Sequence, residues 1–89
     1  MAAVKVEIET VVFKDKYITM TDYAVRMRDE TGFEMQVSAV LASPLEAVED
    51  VERRIAGLDA AAGGRCAGVT TAQRRALAAL RRKVVAAQA

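Results

Sequence analysis

The side chains with chemistry to offer are one thiol, a set of carboxylates and a run of guanidinium groups. No histidine occurs in the 89 residues. Cys66 stands in the string GGRCAG, where the neighbouring Arg65 would favour the thiolate. A nucleophilic cysteine needs a base to take its proton, and this chain has no imidazole to serve as one. One cysteine without histidine also falls short of a metal site. The string lacks the G-K-[ST] ending of a phosphate-cradling loop, and no strand pattern precedes it. Cys66 therefore reads as a linker residue.

The carboxylates group as Glu46, Glu49 and Asp50 on one segment and Glu7 and Glu9 on another. Acid–base catalysis would need some of them buried with shifted pKa values. Hydrophobic patterning assigns all of these positions to solvent. No nucleophile is paired with a base, so the chain is expected to be non-catalytic, with no cofactor, metal or small-molecule ligand.

The basic residues are concentrated near the C-terminus, in TTAQRRALAALRRKVV. All twelve acidic residues lie at or before Asp59; against seven basic ones they give that part a charge of −5, while residues 60–89 carry +6. Arg74, Arg75, Arg81, Arg82 and Lys83 could contact a nucleic-acid backbone through phosphate. The segment has no aromatic residue to stack on bases, and only Gln73 and Gln88 as amide readers. The competing expectation is that the arginines pair with Glu46, Glu49, Asp50 and Glu52.

These groups must be positioned by strands and helices that the period of the apolar residues announces. Val4, Val6, Ile8 and Val12 alternate with polar residues, as do Tyr23, Val25 and Met27, and then Phe33, Met35, Val37, Ala39 and Leu41. Three strands are expected, at about 4–13, 17–28 and 33–42. A three-residue loop Glu30-Thr31-Gly32, with Gly32 left-handed, would set Met27 against Met35, Val25 against Val37, Tyr23 against Ala39 and Arg28 against Glu34. A two-residue turn Asp15-Lys16 would set Ile8 beside Tyr23 and Val6 beside Val25. Both turns then deliver one continuous apolar face.

Two helices follow. SPLEAVEDVERRIAGL opens with Ser43 as N-cap, Pro44 at the first position and Glu46 as the capping-box partner. Leu45, Val48, Val51, Ile55 and Leu58 draw its apolar stripe, the natural cover for the sheet. After a glycine-punctuated linker at 59–69, Thr70 and Gln73 form a second capping box. A helix to about residue 86 carries Leu77, Leu80 and Val84 on one side. The fold class is α+β: a three-stranded antiparallel meander and two helices in the order βββαα, in one small domain spanning 1–89, helix one packed on the sheet. The second helix either completes that layer or reaches to a partner.

The same registers put Val11 beside Met20 and Phe13 beside Ile18 on the face away from that cover. Four large apolar side chains at one end of an otherwise polar face mark an interface. The leading expectation is a protein–protein interaction module, a homodimer or a small inhibitor or adaptor subunit. Its contacts would be Val11, Phe13, Ile18 and Met20, joined by Leu77, Leu80 and Val84. Nucleic-acid binding through the basic helix is the alternative, and blocking a larger machine, as small phage-type inhibitors do, the third. A lone cysteine fits a reducing compartment. The charged N-terminal segment and the lack of a long apolar run point to a cytoplasmic protein without membrane association.

Overall fold

A computed structural model describes residues 3–88. Strands β1 (Lys5–Lys14), β2 (Thr19–Arg28) and β3 (Glu34–Gln36) form an antiparallel sheet in that order, followed by helices α1 (Pro44–Ala61) and α2 (Thr71–Gln88). The fold is α+β, as expected. Both helices cover one face of the sheet, α1 over β2 and α2 over β1. Between the layers lie Val25, Ala47, Val48, Val51, Leu77, Leu80 and Val84, flanked by Val6, Ile8, Val37, Leu45 and Ile55. The second helix thus completes the layer.

The β2–β3 turn forms as its residues dictate. Asp29 and Phe33 close a loop of Glu30, Thr31 and Gly32 by a backbone bond of 2.9 Å, and Gly32 has φ +90°. The Asp29 carboxylate accepts from the Thr31 hydroxyl and from the Thr31 and Phe33 amides, and these bonds hold its pKa below the ordinary range. Met27 faces Met35 and Arg28 faces Glu34, as read from the sequence.

Two register expectations are corrected. In the first hairpin Ile8 faces Val25, Val6 faces Met27 and Phe13 faces Met20, a slip of two residues from the pairing expected. The Asp15 carboxylate causes it. It accepts the Tyr17 and Ile18 amides, each at 2.8 Å, and the Asp15 amide bonds the Ile18 carbonyl at 3.0 Å. Asp15 is therefore the corner preceding the turn, where aspartate side chains mimic a backbone turn, and Lys16-Tyr17 is its centre. A slip of two leaves every side chain on its face. On the other side, Tyr23 bridges Leu41 rather than Ala39, with reciprocal bonds of 2.8 Å.

That second change is a bulge that shortens β3 to three residues. The Val25 amide donates to the Ser38 hydroxyl at 2.7 Å where a strand carbonyl would otherwise accept. Ser38 in turn donates to the Ala39 carbonyl, and the Ala39 amide is taken by Asp50 on α1 at 2.8 Å. Asp50 is buried, not solvated as expected. Its carboxylate also accepts from Arg53 and Arg54, and the Ala39 amide is the main reason its pKa is lowered.

Both helices start at the expected caps, the second with the full reciprocal box and the first with the serine half of it. The Ser43 hydroxyl accepts the Glu46 amide, and Thr70 and Gln73 exchange reciprocal side-chain-to-amide bonds of 3.2 and 3.3 Å. Helix α1 runs three residues beyond the expected end. It stops in a Schellman pair, Gly63 amide to Ala60 carbonyl and Gly64 amide to Asp59 carbonyl, with Gly63 at φ +72°.

Candidate functional site

The β1–β2 ribbon is longer than the helical layer that covers it. From Val12 to Thr21 every residue is exposed, and among the described residues no third strand accompanies the ribbon beyond the Tyr23–Leu41 bridge. The result is a two-stranded arm at one end of a molecule whose backbone extends 47 × 28 × 26 Å. Phe13 and Met20 pair on its outer face at 58% and 47% exposure. Ile18 lies next to the turn at 52%, while Val11, facing Asp22, is half-buried. Val12, on the opposite side and 60% exposed, and Tyr17 in the turn extend the apolar surface around the arm.

Those two residues were not legible as surface. Val12 has the parity of the core face, but the helices end before they reach it. Leu77, Leu80 and Val84, expected at the contact surface, are instead buried in the chain's own core, because α2 turns its stripe onto β1.

At the other end of the sheet the two layers part. A groove of about 640 Å³ opens between them, lined among others by Val6, Met27, Met35, Ile55, Leu58 and Leu77. Leu58, expected in the buried stripe, is 50% exposed on its rim, and Phe33 and Met35 are exposed on the adjoining strand edge. Gly57, also in the groove's lining, contributes no side chain to fill it.

The charged groups are largely engaged within the chain. Arg74 makes a two-pronged contact with Asp59 at 2.7 and 2.9 Å, which lowers the Asp59 pKa from 3.8 to about 2 and raises that of Arg74. Arg81 reaches Glu52 at 2.6 Å. Arg75, Arg82 and Lys83 are exposed on the outer side of α2, with no ion pair there among the described residues. Cys66 is held by its backbone: its amide donates to Asp59 and its carbonyl accepts from Arg74. Arg65 donates to the Thr71 hydroxyl. Glu30 accepts from Thr70 and Gln73, tying the β2–β3 turn to the start of α2, and the Thr70 bond is the main cause of its lowered pKa.

Among the described residues no group of three or more His, Cys, Asp or Glu side chains is close enough to hold a metal ion, and no helix is long and apolar enough to cross a membrane. No family model matches the chain, and no match to it was found among curated proteins or solved structures.

Proposed function

We propose that this chain is a non-catalytic protein-binding module that docks through its hairpin arm, with Val11, Phe13, Ile18 and Met20 as the contact residues and Val12 and Tyr17 beside them. One observation carries the reading: ten consecutive exposed residues in a ribbon bearing large apolar side chains on both faces. A two-stranded hairpin without a covering layer is marginal in water. Apolar side chains clustered on such a ribbon are stabilised when another protein covers them.

The test is the double substitution Phe13→Asp with Met20→Asp. It should keep the far-UV circular dichroism spectrum of the parent while abolishing association, read by light scattering and by pull-down with the purified chain as bait. A parent chain that is monomeric and captures nothing would falsify the reading.

Nucleic-acid binding draws on Arg75, Arg82 and Lys83 alone once Arg74 and Arg81 are spent on Asp59 and Glu52. Three phosphate contacts give a shallow salt dependence and weak affinity. A low-salt mobility-shift titration separates this reading from the first.

A further inference from the structure

We propose that the arm's partner is a second copy of the same chain, and that each copy's arm seats in the other's groove. The inference rests on the arm being a docking element, and adds what receives it. Of the ten exposed large apolar residues among the described ones, eight fall into two groups at opposite ends of the sheet. Val12, Phe13, Tyr17, Ile18 and Met20 form a protrusion, and Met35 and Leu58 line a concavity, with Phe33 beside them where the β2–β3 loop closes. A copy inverted end for end about a two-fold axis brings protrusion over concavity twice, and that closes the assembly.

Charge favours the same arrangement. The arm's corner carries Lys14 and Lys16 against Asp15, a net charge of +1. The groove's end of the sheet presents Asp29, Glu30 and Glu34 against Arg28, while Lys5, opposite Arg28, is paired with Glu7, and Arg54 in the groove's lining is paired with Asp50. Glu34 adjoins Met35, and Glu30 holds Gln73, both of which line the groove. Basic tip thus meets acidic rim at both contacts, and the arrangement keeps like charges apart.

Gly57 allows a test that spares the fold. A Cβ placed there meets nothing within 4 Å, and its backbone is not left-handed. Gly57→Phe therefore fills the groove at a helical position that tolerates a side chain; Leu58→Asp is a second, polar obstruction. Light scattering over a wide concentration range should give the parent twice the chain mass. Phe13→Asp/Met20→Asp and Gly57→Phe should each be monomers. Mixed in equal amounts they should form a heterodimer held by the one arm–groove contact left intact, with a dissociation constant raised roughly 10²–10⁴-fold over the parent.

If both groove variants dimerise like the parent, the groove assignment is overturned while the arm reading survives. A monomeric parent whose arm captures another protein overturns the second copy as partner, again leaving the arm in place. So does a monomeric parent whose groove instead takes up an apolar fluorescent probe. An arm variant that dimerises like the parent overturns both.

Discussion

The two ends of one ribbon make an instructive pair. At one, the stretch Ile8–Thr10 and Tyr23–Val25, helices lie over the sheet, and Val25 is fully buried. At the other, Val12 has the same face and the same side-chain type and is 60% exposed. Strand pairing is continuous across both, from Lys5–Arg28 to Lys14–Thr19. Backbone hydrogen bonding therefore does not distinguish them; the presence of a second layer does. Alternation of apolar and polar residues measures which way a side chain points, not whether anything lies above it.

The comparison is broken most directly by making one substitution at both ends. Val25→Ala removes buried methyl groups and leaves a cavity, which should cost about 2–3 kcal/mol in urea unfolding. Val12→Ala should stay within about 0.5 kcal/mol in the monomer. Equal effects would mean that the arm is covered in solution, and a concentration-dependent effect at Val12 would identify a second copy as the cover.

The boundary between the two ends is set by Ser38. Ser38→Ala leaves the buried Val25 amide without its acceptor, and should destabilise the chain by about 1–3 kcal/mol. Hydrogen exchange should show the Val25 amide losing protection while the Phe13 amide is unchanged. A variant that is as stable as the parent would mean β3 re-pairs without the bulge.

A smaller effect is expected from Asp59, which holds α2, and so half of the covering layer, through Arg74. Its folded pKa of about 2 lies below the ordinary 3.8. Its contribution is therefore complete above that ordinary value and is lost as pH falls toward 2. The stability difference between parent and Asp59→Asn should be constant near neutrality and close over this acid window. A difference that widens on acidification would reverse the assignment. Smallest is the pair Arg81–Glu52, part-exposed between the helices, whose coupling in a double-mutant cycle should be below about 1 kcal/mol.

Much of the covered end was legible because its signals are local. The β2–β3 loop follows from Asp29 and Gly32, the helix starts from Ser43-Pro44 and from Thr70 with Gln73, and each stripe from the 3.6-residue period. The first turn was misplaced by one residue because Asp15 can be read either as a turn's centre or as its corner. The carboxylate's bonds to two following amides decide between these. The bulge was hidden for a different reason. Ser38 and Asp50 act on groups 13 and 11 residues away in the chain, and no local pattern records such a partner. Arg53 and Arg54, three and four residues after Asp50, were the one available sign that this carboxylate is held.

By itself the amino-acid sequence determined the order βββαα, the face each strand residue takes and the split of charge between body and tail. Those depend on bonds and periods within a few residues. Only the tertiary structure decided that α2 lies on β1 and buries Leu77, Leu80 and Val84, that the ribbon outruns its cover, and that a groove opens at the opposite end. These depend on the relative lengths and placement of whole elements, and burial is a property of what lies across the gap rather than of the chain beneath it.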